Sequence, residues 1–409
     1  MSVTLKGMHS APADEEESVP RAGHRPKDGR RPRKRLQRTS ITLVLLGILL
    51  IAAAGVVRFV ALPAASKLPT NTNTTNVYSG TARVLLNQAA LAPGSTAPIL
   101  LSNLPLQIKE TVRVLTSNGS AAVVDYRVTD SAAGKSLPGM DNRYAVDRTT
   151  LAPSNAISGS GLTAVRGLTI SFPIPTQARN YVGWVQDTGN TTPLRYAGTA
   201  TRVPSPTGSG TRALGFETYV FQQTTPAARI TDPQELASLP SGLPKSELPA
   251  LVGRLKLPAG ELGQLGNAFA KFPSTVPLAY TYSARFTYWV APNDGVVVDL
   301  QATEVRSVEL PASVLGTPVP IATVSDFVYT DSPATLVARI QEAKNDSAAL
   351  SLFGTTLPLS AVIVGLALIA TAVLLRRTGK GPRPASSQAV GTSAGAGNKV
   401  SPPSASRAA

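Results

Sequence analysis

The stretch "YTYSARFTYWVAPNDGVVVDLQATEVRSVEL", Tyr280 to Leu310, decides the fold class. Tyr280, Tyr282, Phe286, Tyr288 and Val290 alternate with Thr281, Ser283, Arg285 and Thr287. A period of two sends successive side chains to opposite faces, which is the signature of a half-buried strand. "PNDG" (Pro292–Gly295) follows, and its Asp-Gly step favours a tight turn. Val296, Val298, Leu300 and Ala302 then alternate with Asp299, Gln301 and Thr303. The stretch predicts a β-hairpin with one apolar face, hence an antiparallel sheet covered on one side.

Upstream, short alternating runs bounded by Gly, Pro, Asn or Ser read the same way: Ala122–Asp130, Asn142–Thr149, Gly167–Pro173, Tyr181–Asp187, Leu194–Val203 and Gly215–Gln223. Residues 231–272 are rich in prolines but favour short helices, and they predict a helical insertion between strands. Residues 333–353 predict an amphipathic helix. Ser332 is placed as N-cap and Pro333 at the first helical position. Leu336, Ile340, Ala343, Ser347 and Leu350 recur at spacings of four and three, and Gly354 is expected to end the helix.

Two apolar runs bracket this β-rich segment. "LPLSAVIVGLALIATAVLL" (Leu357–Leu375) has no charged residue and spans about 28 Å as a helix, close to a bilayer's hydrocarbon thickness. "ITLVLLGILLIAAAGVVRFVALP" (Ile41–Pro63) carries only Arg58, near its far end, where a guanidinium can reach the interface. A cleaved signal peptide is the rival reading of this second run, with Ala61, Ala64 and Ala65 as small residues near a cleavage site. The long segment before it favours an uncleaved anchor.

The block "RAGHRPKDGRRPRKRLQR" (Arg21–Arg38) precedes the first run, and Arg376, Arg377, Lys380 and Arg383 follow the second. Positive flanks stay in the cytoplasm. The expected plan is a disordered basic cytoplasmic tail (1–40), transmembrane helix 1 (41–63) and an extracytoplasmic β-rich domain (64–354). Transmembrane helix 2 (355–375) and a second disordered cytoplasmic tail (376–409) follow. The expected localisation is the bacterial inner membrane.

The net charge of +15 would suit a nucleic-acid binder, but its distribution does not. Residues 1–40 hold 10 Lys/Arg against 5 Asp/Glu, and residues 376–409 hold 6 and none. Most of the excess therefore lies beside the apolar runs, where it orients the chain and contacts anionic lipid headgroups. No nucleic-acid partner is expected. The many Arg and Ala residues hint at a GC-rich bacterial genome.

With no cysteine, the domain must hold together by its core. The two histidines, His9 and His24, lie in the N-terminal tail. The domain thus lacks the side chains of Ser-His-Asp and Cys-His sites and of the usual zinc, copper and haem ligand sets.

"DTG" (Asp187–Gly189) occurs once, whereas a shared-proton dyad needs two carboxylates, so a turn at a strand end explains it. "GSGLTAVRG" (Gly159–Gly167) lacks the lysine and helix of a phosphate loop. Ser241 with Lys245, Ser131 with Lys135, and Asp326 with Asp331 read as turns and surface charge. No catalytic, cofactor-binding or metal-binding residue is assigned, no cofactor is expected, and the chain is not expected to be an enzyme. Sixteen aromatic side chains lie between Phe172 and Tyr329. They form a core or line an apolar cradle inside a strongly curved sheet.

Several stretches carry a family resemblance: Leu43–Pro69, "YAVDRTT" (Tyr144–Thr150), "GLTISFPIPTQARNYVGW" (Gly167–Trp184), "YAGTATRV", "YVFQQTTPAARI", "RFTYWVAPNDGVVVD" and "FVYTDSPATLVARIQEAKNDSAALSLFGTTLPL". In that order and spacing the chain resembles the actinobacterial PorA-type family of two-pass membrane proteins. The family name implies a porin of a mycolic-acid-bearing envelope. The residues point elsewhere, because a transmembrane barrel needs strands of about ten residues with a continuous lipid-facing band.

The expected fold is mainly β with some α (α+β): a curved antiparallel sheet flanked by short helices and anchored by two transmembrane helices. The expected role is non-enzymatic binding of a lipid-like ligand or an envelope partner protein, with channel formation as the alternative.

Overall fold

The computed structural model describes residues 32–378, apart from 93–94, 204–214, 248, 250–262, 264–265, 267–268, 270–271 and 312–317. Of the expected tails (1–40 and 376–409), residues 1–31 and 379–409 lie outside the described residues, as does nearly half of the predicted helical insertion at 231–272, whereas 32–40 and 376–378 are helical. The chain divides into two compact units, Met1–Ile51 with Val362–Ala409, and Ala52–Ala361.

The first unit is a helix pair. α1 (Pro32–Val56) begins nine residues before the predicted span. Pro32 opens it, and the residues "RKRLQR" that follow have high helix propensity. Its partner, α5 (Leu357–Thr378), is also apolar. A Cβ on Gly47 would lie 2.6 Å from Gly365 O, and one on Gly365 would lie 2.7 Å from Gly47 O. The missing Cβ atoms are what let the two backbones touch, as small residues do in membrane helix pairs. Arg376 Nε donates to Ser40 Oγ at 3.2 Å. Leu45, Leu49, Leu366 and Leu374 face outward. Two helices, Thr39–Ala64 and Pro333–Arg377, are long and apolar enough to cross a membrane.

The second unit is an antiparallel sheet, entered through the short helix α2 (Leu62–Ala65). Its strands are β1 (Asn73–Leu86), β2 (Leu100–Asn118), β3 (Ala121–Ala132), β4 (Lys135–Ser136), β5 (Met140–Asp147), β6 (Tyr181–Val185), β7 (Asn190–Arg202) and β8 (Phe216–Arg229). After a small β9–β10 hairpin (Gly242–Pro244, Thr275–Pro277) come β11 (Ala279–Val290), β12 (Val297–Leu310) and β13 (Val319–Asp331). The order is β4-β3-β2-β1-β13-β12-β11-β8-β7-β6, with β5 also on β3.

Several strands run longer than the sequence suggests. β2 has 19 residues and holds Pro105, and β7 and β8 hold Pro193 and Pro226. Bulges interrupt most pairings, including Ala82/Val84, Val114/Thr116, Tyr196/Gly198 and Tyr282/Ala284. Each bulge bends and twists its strand, so the long sheet curls.

The bulge opposite Trp289/Val290 corrects the predicted face of β12. Val298 turns outward against α4 (Pro333–Ser351), where it packs with Ala291, Ile340 and Ala343. Leu300 and Ala302 remain inside with Tyr78, Ile108 and Phe327.

Chain segments rather than strand pairing close the curl. Thr163 N donates to Arg143 O of β5 at 2.7 Å, while Leu168 N donates to Val182 O of β6 and its carbonyl accepts from Trp184 N of β6, each at 2.9 Å. The side-chain amide of Gln234, on α3 (Pro233–Ala237), pairs with both N and O of Asp141. A Cβ on Gly167 would lie 2.8 Å from Gly183 C, so only glycine allows this segment to lie against β6.

Tyr78 of β1 pairs with Asp331 of β13, so the chain enters and leaves the sheet at the same end. There α4 does not stop at Gly354 as expected. It passes through a π-helical turn (Leu352–Thr356) into α5. Gly354 is buried against Leu62, and its carbonyl accepts from Arg58 Nη1 at 2.7 Å. The residue serves a close helix contact, not a left-handed cap. The Arg58 turn, Val57–Ala61, is also π-helical.

Candidate functional site

Within the second unit the curled sheet encloses a cavity of about 740 Å³. Its walls are apolar and aromatic, with Ile108, Val128, Phe172, Phe286, Tyr288 and Phe327 among them. The predicted hairpin supplies one wall: Tyr282, Phe286 and Tyr288 line the cavity, whereas Tyr280 of the same face packs beneath Pro240 and donates to its carbonyl at 2.7 Å.

Charged side chains project into this apolar shell in two groups. In the first, Arg306 of β12 meets Asp187 Oδ1 at 2.9 Å, Glu235 Oε1 at 2.9 Å and Glu304 Oε2 at 3.9 Å. Tyr282 Oη donates to Glu304 Oε2 at 2.8 Å, and Tyr329 Oη donates to Glu304 Oε1. The guanidinium also lies 5.1 Å from the centre of the Tyr282 ring. Burial pushes Asp187 up to about 6, Arg306 opposes that, and Glu304 and Glu235 reinforce it. Three carboxylates around one buried guanidinium leave the group with an acid excess.

In the second group, Glu110 of β2 has no cation in direct contact; Arg339, bound to Asn76, lowers its pKa from a distance. Glu110 accepts from Asn76 Nδ2 at 3.1 Å, Tyr78 Oη at 3.1 Å and Tyr126 Oη at 3.3 Å. Burial raises its pKa and these three hydrogen bonds oppose the rise.

Near the Arg306 group stands Asp130 of β3. Its Oδ1 is buried without a hydrogen-bond partner in the protein. Burial lifts this carboxyl to about 7, with Glu304, Glu235 and Asp187 adding and Arg306 subtracting.

α4 contributes one side of the opening. Leu336, Ile340 and Ala343 pack outside the sheet as the spacing predicted. Arg339, Glu342, Asp346 and Leu350, displaced around the same helix, border the cavity. Arg339 binds Asn76 Oδ1 and Glu342, and the buried Asp294 Oδ2 has no hydrogen-bond partner.

The motifs singled out in the sequence separate clearly. Asp187 of the Asp-Thr-Gly triplet lies on a 3₁₀ turn (Gln186–Thr188) and reaches the cavity. Gly159–Gly167 belongs to the segment that bridges β5 and β6. Asp326 and Asp331, five apart on β13, point to opposite faces, and Asp331 accepts the Leu300 amide at 2.7 Å. Lys245 Nζ donates to Phe272 O at 3.0 Å, and Ser131 and Lys135 sit on the β3–β4 hairpin. Among the described residues no cluster of His, Cys, Asp and Glu could hold a metal ion.

The cavity residues were missed, although a signal for them existed. Glu110 interrupts the stripe Leu106, Ile108, Val112, Val114. Asp130 interrupts Val124, Tyr126, Val128, Ala132, and Glu304 with Arg306 interrupts Leu300, Ala302, Val308. A charge on the apolar parity of a strand marks a buried polar site.

A curled antiparallel sheet with an inner cavity, joined to two helices long and apolar enough to span a bilayer, defines a membrane protein of mixed architecture. The family described as Porin PorA matches residues 39–374, and the chain belongs to that family. Comparison with curated proteins found no match.

Proposed function

We propose that the chain is a non-enzymatic cell-envelope membrane protein whose sheet binds a lipid-like ligand in its cavity. The single observation behind this is the cavity of about 740 Å³, walled by aromatics and bordered by a helix that continues into the second apolar run. That volume falls within the usual range for small-molecule sites. The basic residues on both outer flanks support a topology with both tails cytoplasmic and the sheet outside.

The first test is native mass spectrometry of the full chain purified from its host's membranes. A co-purifying lipid of defined mass supports the reading. A bare chain shifts the weight to an envelope partner protein.

Topology is tested separately, because the chain has no cysteine of its own. A membrane-impermeant maleimide should label Thr199→Cys in intact cells and leave Ser401→Cys untouched. The reverse pattern overturns the topology.

The description of the family as Porin PorA favours a second reading, channel formation. Conductance of pure protein across planar bilayers supports that reading, and its absence at high protein loading counts against it.

A further inference from the structure

We infer that the cavity takes an amphiphile whose head group donates hydrogen bonds, a glycosyl or amino head, and discriminates against an anionic head. This rests on the cavity being a ligand site and goes further by fixing the chemistry of the head.

The inference follows from where the buried donors of the cavity already point; the half-buried Lys67 also lines it. Tyr78 and Tyr126 donate to Glu110, Tyr282 and Tyr329 donate to Glu304, and Tyr288 donates to Gln223. Trp184 Nε1 donates to Gln186 Oε1 at 2.9 Å, and Gln186 Nε2 donates to Asp232 at 2.6 Å. Arg306 is held by three carboxylates.

Acceptors remain. Asp130 Oδ1 and Asp294 Oδ2 have no hydrogen-bond partner in the protein, and the Thr169 hydroxyl, also without one, can serve in either sense. A buried acceptor without a partner costs free energy that a donating ligand recovers. Above pH 7, where Asp130 and Asp294 are ionised despite burial, an anionic head would meet further acceptors and leave them unmatched.

The charge balance points the same way. Among the described residues the cavity is lined by eight Asp/Glu and three Lys/Arg side chains, in a chain whose net charge is +15. The negative potential is thus concentrated at the cavity of an otherwise basic protein. Aromatic walls suit both an alkyl tail and the apolar face of a sugar ring.

The experiment uses the full chain in lipid nanodiscs at pH 8, where Asp130 and Asp294 are ionised, and three probes sharing an octyl tail: octyl glucoside, octylammonium and octanoate, each below its micellar concentration. Trp184 lines the cavity, so its fluorescence is the readout and Trp184→Phe the blank.

Saturable binding of the glucoside or the ammonium, about tenfold tighter than octanoate, is the expected result, and which of them binds tells a sugar head from an amine. Asp130→Asn keeps the shape and removes the charge, and should narrow the ratio of octylammonium to octanoate about tenfold. Glu110→Gln is the second variant should the first fail to fold. Equal binding of all probes, or tighter binding of octanoate, overturns the head-group inference while leaving the cavity as a ligand site. No saturable quenching by any probe removes the site itself.

Discussion

Glu110 and Glu304 are both carboxylates on the inner face of the same sheet, each receiving two tyrosine hydroxyls, yet they are held in different ways. Around Glu304 the charge is balanced by Arg306, which also gathers Asp187 and Glu235. Around Glu110 there are only neutral donors: Asn76, Tyr78 and Tyr126. A guanidinium in a fixed fork can organise several acids from separate elements, here β12, α3 and the turn after β6. Neutral donors can hold only one. The Arg306 group is therefore a junction of the fold, and the Glu110 group is a local feature of β1, β2 and β3.

The largest effect expected from this contrast is on Arg306→Met. Removing the cation leaves Asp187, Glu235 and Glu304 buried together without compensation, at a cost of about 3–5 kcal/mol. Thermal unfolding of the full chain in detergent should show a large drop in midpoint. A drop no larger than that of an ordinary surface substitution would refute the junction. Tyr78→Phe should cost less, about 1.5–3 kcal/mol, the range for a hydrogen bond to a charged acceptor. If Tyr78→Phe proved as damaging as Arg306→Met, the Glu110 group would not be local.

How much of this was readable beforehand differs by level. The hairpin Tyr280–Leu310, the amphipathic spacing of α4 and the two apolar helices follow from periodicity, because each depends only on neighbours along the chain. β1 and β2 were not anticipated. β1 starts in an Asn- and Thr-rich stretch with little alternation, and Pro105 falls inside β2, where proline usually ends a strand. Nothing local specifies that β1 pairs with β13, or that a bulge turns Val298 out to Ile340. The site was half legible: charges on the apolar parity at positions 110, 130, 304 and 306 were visible, whereas the meeting of Asp187, Glu235 and Arg306 depends on the curl.

The acids of the cavity also set a pH dependence. Burial raises Asp130 to about 7 and Asp187 to about 6 from an ordinary 3.8, so the folded state holds protons that the unfolded state has released. Between about pH 4 and pH 7 the native protein is the more protonated one. Its stability should therefore fall as pH rises through that window, by no more than about 1.4 kcal/mol per pH unit for each such group. Asp130→Asn should flatten the slope at its upper end. A stability that rises between pH 5 and 7, in the full chain and the variant alike, would contradict the burial of these carboxyls.

The smallest effect, and the most discriminating for the comparison, is expected from Glu110→Gln. Glutamine keeps the shape and one acceptor oxygen, so it can still receive Tyr78 or Tyr126, and it no longer asks the fold to bury a charge. Desolvation already works against the Glu110 carboxylate, and the nearest cation, Arg339, reaches it only through Asn76 and is held by Glu342 instead. The substitution should change stability by less than about 1 kcal/mol, with either sign, because replacing a buried ionised group by a neutral isostere removes a penalty along with the interactions it made. Glu304→Gln makes the matching experiment. It withdraws a charge from Arg306, whose remaining partners are Asp187 and Glu235, and the loss should exceed that of Glu110→Gln. Equal losses at the two positions would mean that Arg306 is satisfied without Glu304. The difference between the two groups would then lie in Asp187 and Glu235 alone.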